Sequence, residues 1–273
     1  MTDPLDRIAA ALERLSPPPP LAADPLAHPA YLWRGTVLEP ARAFRPLALG
    51  SLLGIDRQKQ ALLGNVRRLA AGHAAHDVLL WGARGTGKSA LVASAVAAVQ
   101  AEAAGTGGGI ALVELAPSQL DSLPALFATL AGVPRAFALF VDDLGLGSAS
   151  DGRALRSMLE GGAEARPGNA RLFVTSNRRH LMPRDMAVQA EAINPADAID
   201  DELALTDRFG LSLGFHPVDQ ADYLAIVRGY ARARGLAVDD ADAVGWATRR
   251  GGRSGRVAWQ YVVELAGRAG LTA

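Results

Sequence analysis

The stretch Gly82-Ala83-Arg84-Gly85-Thr86-Gly87-Lys88-Ser89 follows an apolar run at 77–81 (Asp-Val-Leu-Leu-Trp) and opens an alanine-rich segment at 88–104. It satisfies G-x-x-x-x-G-K-[ST] at every fixed position, in a strand–loop–helix setting. Glycines let the backbone curl until successive N–H groups point inward at phosphate oxygens. The N-terminus of the following helix adds partial positive charge. Lys88 is placed to reach β- and γ-phosphates, and the Ser89 hydroxyl to ligate Mg²⁺. Gly82, Ala83, Arg84, Gly85, Thr86 and Gly87 form the cradle, with Arg84 at a variable position that carries no assigned role. The plain alternative is a glycine turn that only joins strand to helix, and the flanking pattern argues against it.

A phosphate loop of this kind needs a carboxylate for its metal. The apolar run at 138–141 ends in Asp142-Asp143, the Walker B pattern of a strand lying beside the P-loop strand. Asp142 is expected to hold Mg²⁺, directly or through water, and Asp143 to polarise the attacking water. The alternative is a strand end with two solvated acids. A further run at 171–176 ends in Thr175-Ser176-Asn177. Alone this reads as an Asx turn. As the third polar strand end of one sheet, at the carboxyl edge where α/β ligands bind, Asn177 is expected to orient the water. The guanine-reading N-K-x-D tetrad is absent from the chain, which leaves ATP, by elimination, as the nucleotide.

Five short apolar runs (77–81, 110–115, 138–142, 171–176 and 211–215) alternate with helical segments, notably 88–104 and 153–160. Strands that are apolar throughout are buried on both faces, so the pattern predicts a parallel sheet between helices. A helix is expected from 56 to about 72, carrying Leu62, Leu63, Val66 and Leu69. After Phe215 the strands stop, and 219–235, 239–249 and 254–267 read as three helices. The spacing at 3–15 predicts a short amphipathic helix that Pro17, Pro18, Pro19 and Pro20 would terminate. The stretch 21–49 reads as irregular, anchored by Tyr31, Trp33 and Phe44. The expected division is 1–50, an extension; 51–217, the α/β nucleotide-binding domain; and 218–273, a helical lid.

Composition narrows the field. The 28 basic and 28 acidic residues cancel, so no global field favours nucleic acid and any such contact needs a local patch. With no cysteine and five scattered histidines, thiolate metal sites, disulfides and cysteine nucleophiles are excluded. No secretory leader and no run of about 18 apolar residues is present, so a cytoplasmic protein without a membrane span is expected.

Taken together, these residues resemble AAA+ ATPases. The resemblance covers about 52–267 and is closest to an uncharacterised bacterial branch of predicted AAA+ ATPases of unknown function. It is carried by 53–58 (Leu-Gly-Ile-Asp-Arg-Gln), 78–89, 159–163 (Leu-Glu-Gly-Gly-Ala), 175–181 (Thr-Ser-Asn-Arg-Arg-His-Leu) and Asp207-Arg208-Phe209-Gly210. It implies a five-stranded sheet in order 5-1-4-3-2 with a C-terminal helical lid. Residues 53–58 would lie near the adenine, and the active form would be a homo-oligomer. It also implies that Asn177 is sensor 1, that Arg208 is an arginine finger acting in trans, and that Arg256 in the lid contacts the γ-phosphate. One departure stands out. The second Walker B acid of the family is usually Glu, and Asp143 is one methylene shorter, which favours slow or switch-like turnover.

Arg178, Arg179 and His180 are read either as a solvated basic loop or as a phosphate- or partner-reading one. The acidic 182–205 segment reads as an insertion that contacts a partner. Trp246, Trp259 and Tyr261 read as lid core, as does Trp81 for the main domain. Three functions compete: an AAA+ ATPase that remodels or loads a protein partner, a DNA-associated loader, and a P-loop phosphotransferase acting on a small molecule. Neutral charge disfavours the second, and the three-helix lid with Arg256 disfavours the third.

Overall fold

A computed structural model of the chain describes residues 3–5, 7, 22–103, 109–145, 166–177 and 208–271. The expected elements at 153–160 and 182–205, the Arg178-Arg179-His180 loop and most of the N-terminal helix lie outside these residues.

The strands are β1 (Ala30–Trp33), β2 (Leu38–Pro40), β3 (Val78–Gly82), β4 (Ile110–Leu115), β5 (Ala136–Val141), β6 (Ala170–Ser176) and β7 (Leu211–Phe215). The helices are α1 (Asp56–Ala70), α2 (Lys88–Glu102), α3 (Leu123–Leu130), α4 (Gln220–Arg232), α5 (Asp240–Arg249) and α6 (Gly255–Arg268). The fold is α/β, and the sheet corrects the expected count. It has seven strands in the order β2-β1-β4-β5-β6-β3-β7. The five expected strands are neighbours in the expected sequence. The stretch read as irregular adds two more: β1 pairs parallel to β4, and β2 turns back antiparallel on β1.

Why this stretch becomes sheet is visible in its contacts. Tyr31 and Trp33 are buried in the cluster that contains Leu120, Leu123, Leu126 and Leu130. The Trp33 indole donates to Ser122 Oγ at 2.7 Å. Arg135 donates to the carbonyls of Pro25, Leu26 and His28, tying the incoming chain to the sheet. Aromatics that need burial found it on the free edge of β4 rather than in an irregular wrap.

Strands β3 and β5 are buried at nearly every position, as sheet strands covered on both faces must be. Helices α1 and α2 cover one face with Leu62, Val66, Leu69, Leu91, Val92, Ala95 and Val96; α3 lies on the other. The lid helices have a core of their own around Tyr223, Val227, Ala247, Tyr261 and Val262. Trp81 is only half-buried, and its indole donates to Ser212 Oγ on β7.

Candidate nucleotide site

The phosphate loop is shaped by close backbone approach. Gly82 has φ +125°, and a Cβ there would lie 2.1 Å from the Phe215 carbonyl oxygen. Only glycine fits between β3 and β7 at that point. Gly87, with φ +97°, starts α2 without a side-chain cap. The first amides of α2 therefore have no side-chain acceptor, which is the arrangement that anions use.

Lys88 is buried at 5% exposure. Its ammonium donates to the carbonyls of Gly82 (2.9 Å) and Ala83 (2.8 Å) and to Asn177 Oδ1 (3.0 Å). Burial pulls its pKa below the usual lysine value, against the opposing charges of Asp143 and Asp142. Ser89 Oγ donates to Asp142 Oδ1 at 2.6 Å, and Thr175 Oγ1 donates to the same oxygen at 2.6 Å. Thr175 Oγ1 also accepts from the Asp143 amide at 2.8 Å. Asn177 Nδ2 donates to Asp143 Oδ1.

One cavity of about 460 Å³ is lined by Arg84, Lys88, Ser89, Asp142, Asp143, Asn177 and Arg256 together with Tyr230 and Trp259. These seven polar residues thus reach one place from the loop, two strand ends and the C-terminal helices. The lid is docked directly on the loop. Gly255 N–H donates to the Gly85 carbonyl at 2.9 Å, and a Cβ on Gly85 would lie 2.8 Å from Ser254 Oγ. A smaller cavity of about 120 Å³ continues past Thr86 and Gly87 between Leu53, Gly54, Ile55 and Gln58 on one side and Pro217, Ile226 and Tyr230 on the other.

Three expectations change. β5 is not beside β3, because β6 pairs with both; the Asp142 carboxylate reaches Ser89 across the end of β6. Trp259 is not lid core. It is 37% exposed, lines the main cavity, and stands edge-on to Tyr230 at 5.5 Å between centroids. Arg208 does not line the cavity. It precedes β7, whose far end, Phe215, pairs with Gly82; the strand alone separates the two by about 13 Å.

Two residues escaped the sequence reading. Thr175 ties Asp142 and Asp143 together through one hydroxyl, and only its place at a polar strand end marked it. Glu114 interrupts the otherwise buried β4. Although the residue is exposed, partial desolvation of its carboxyl, and then the Asp142 charge, raise its pKa from the ordinary glutamate value, with Arg34 opposing. A lone acid near the end of an apolar strand is the signal that marks it.

Residues 26–269 match the profile of a family described as a protein of unknown function, DUF815. The chain belongs to this family. No curated protein matches it. Among solved structures, the DUF815 chain is similar to a single-substitution form of RuvB from Thermotoga maritima, with 17% identity, TM-score 0.56, and coverage of 84% of this chain and 68% of that one. It is similar to the Orc1 protein of Aeropyrum pernix in complex with DNA, at 16% identity and TM-score 0.56, covering 81% and 65%. Domain III of the Thermotoga maritima replication initiation protein DnaA gives 12%, TM-score 0.51, and 83% and 91%. These are AAA+ ATPases, and the DUF815 chain shares their fold. Among the described residues no helix is long and apolar enough to cross a membrane.

Proposed function

We propose that the chain binds Mg-ATP at residues 82–89 and hydrolyses it, coupling both steps to remodelling or loading of a macromolecular partner. The observation that carries this is the meeting of Ser89 and Asp142 at 2.6 Å, beside a Lys88 held 3.0 Å from Asn177. A hydroxyl and a carboxylate are hard oxygen donors of the kind Mg²⁺ prefers, and that ion keeps several of its own waters. When bound, the ion would neutralise charge on the phosphates. Lys88 would face the β- and γ-phosphates. Asn177 would orient the water, and Asp143 would accept its proton. The smaller cavity, which has Leu53, Ile55, Ile226 and Tyr230 as apolar walls and Gln58, Thr86 and Asp222 as polar ones, would suit a purine base.

The finer reading has two further parts. Arg256, exposed in the first turn of α6, would link lid angle to the γ-phosphate in cis. Arg208 would serve a neighbouring subunit's ATP, since its place before β7 sets it apart from its own loop. A guanidinium stays charged and offers several donors as charge spreads in the transition state.

The test is phosphate release by purified protein, with and without DNA, and with and without small acceptor molecules. Release to water without an acceptor supports the ATPase reading; release only on transfer to an acceptor replaces it with a phosphotransferase. Dependence on DNA would favour the DNA-associated loader, a reading supported by a structural neighbour solved with DNA. For Arg208, mixing inactive Arg208→Ala with inactive Lys88→Ala should restore turnover. A mixture that co-assembles and stays inactive rules out the trans role. For Arg256, Arg256→Ala should lower turnover and reduce the ATP-versus-ADP difference in lid hydrogen exchange; unchanged values reject the coupling.

A further inference from the structure

Arg84 is the one residue of the cavity's charged set to which the reading above gives no task. It is third in the phosphate loop, at the turn between Gly82 and Gly85, and its side chain is 76% exposed. Its Nη2 lies 3.8 Å from Asp143 Oδ2, while the other oxygen of that carboxylate accepts from Asn177 Nδ2. Asp143 is also the only described non-glycine residue with positive φ, at +52°. Its amide is fixed by Thr175 Oγ1. The backbone thus aims this carboxylate, and both its oxygens already have partners from the same chain. Asn177 in turn accepts from Lys88. A line of four polar groups, Lys88–Asn177–Asp143–Arg84, therefore crosses the cavity with the proposed base in the middle.

The geometry points to Arg84 as the group that reads the γ-phosphate within its own subunit, held at rest on Asp143. This deepens the Mg-ATP reading and rests on it. Arg84 springs from the loop that would wrap the phosphates. A guanidinium forms forked, charge-assisted hydrogen bonds to phosphate that exceed ordinary ones in strength. The pair it makes with Asp143 is long and solvent-exposed, the kind that contributes little. A third phosphate can therefore draw Arg84 away, whereas a diphosphate leaves it in place. When Arg84 leaves, one oxygen of Asp143 is freed to accept from water. In this way the carboxylate becomes available only when there is a γ-phosphate to attack.

Calorimetry with Mg-ADP and a non-hydrolysable Mg-ATP analogue tests this on wild type, Arg84→Ala, Arg84→Lys, Asp143→Asn and the Arg84→Ala/Asp143→Asn double variant. Thermal melting confirms that each is folded. Arg84→Ala should weaken the analogue about ten-fold or more and leave ADP within about two-fold, as expected for a hydrogen bond between charged groups. Arg84→Lys should recover part of the loss. Asp143→Asn frees Arg84, so it should tighten the analogue more in the wild-type background than in Arg84→Ala, by about two- to five-fold, the worth of an exposed pair. Equal weakening of ADP and analogue in Arg84→Ala would show a loop-shaping role and overturn the proposal. So would unchanged analogue affinity, or an identical Asp143→Asn effect in both backgrounds. Wild type that binds neither nucleotide would remove the Mg-ATP reading and this inference together. Wild type that binds both, with an indifferent Arg84→Ala, would remove only the inference.

Discussion

Helices α2 and α6 meet at the phosphate loop, yet they begin in opposite ways. α2 starts from Gly87 in the left-handed region with no side-chain cap. α6 starts from Ser254, whose hydroxyl accepts from the Val257 amide at 3.2 Å. The other lid helices are capped as well, α4 by Asp219 and α5 by Asp239. A helix that satisfies its own first amides is finished as a packing element. One that leaves them open keeps a partial positive charge for a ligand and must draw its stability elsewhere. For α2 that source is burial: Leu91, Val92, Ala95, Val96 and Val99 are all buried against the sheet and α1. The contrast separates helices that satisfy their own first amides from one that leaves them open beside residues 82–87.

The largest effect should come from disabling the open end. Lys88→Ala is expected to lower ATP affinity about a hundred-fold or more, by removing the buried cation that, on the proposed reading, would hydrogen-bond to charged phosphate. Lid stability should be unchanged. Calorimetry and thermal melting of one preparation read both, and wild-type affinity would defeat the proposed phosphate site.

Next come the groups assigned to water rather than to phosphate. Asp143→Asn and Asn177→Ala should cut turnover by roughly a hundred-fold, the usual scale for general-base chemistry. Nucleotide affinity should hold within a few-fold, so that kcat falls and binding does not. A parallel loss of binding in both would place them in the cradle instead.

The capped side is sharpened by Ser254→Ala. It should cost about 1 kcal/mol in lid stability, the worth of a serine cap. Faster hydrogen exchange confined to α6 supports the capping role, and an unchanged exchange pattern contradicts it.

An effect confined to high pH, and absent under ordinary conditions, concerns Tyr261 in the lid core. Its pKa is pushed up to about 12, by burial first and then by the Asp242 charge and the hydrogen bond to it, with Arg268 opposing. A folded pKa above the unfolded value of roughly 10 means the native state holds the proton longer. That contribution is complete below about pH 10 and lost as pH rises toward about 12. Lid melting should therefore fall across that window more steeply in wild type than in Tyr261→Phe. Equal slopes would show that the phenol does not titrate in the folded lid.

Much of the site could be read along the chain because its chemistry is local. Gly82 to Ser89 encode a turn, an open helix end and two candidate ligand side chains within eight residues, and no distant partner is needed to recognise the pattern. The Asp142-Asp143 pair and Asn177 are readable for a related reason: a polar residue at the end of a wholly apolar strand has few places to go. The three C-terminal helices were readable as segments beginning at 219, 239 and 254, and the structure shows Asp219, Asp239 and Ser254 capping them. Other features depended on pairings across long stretches of sequence. The strand at Ala30–Trp33 exists because β4, some eighty residues later, leaves an edge that can bury Tyr31 and Trp33. A short apolar run with prolines around it carries no such instruction. Trp259 looked like core because helical spacing does not reveal which side of a lid faces a loop. The contact of Arg84 with Asp143 likewise joins residues that propensity treats as unrelated. Local backbone and capping chemistry is written residue by residue, whereas the partner across a sheet or a cleft is chosen by which surfaces the fold brings together and which of them must leave water.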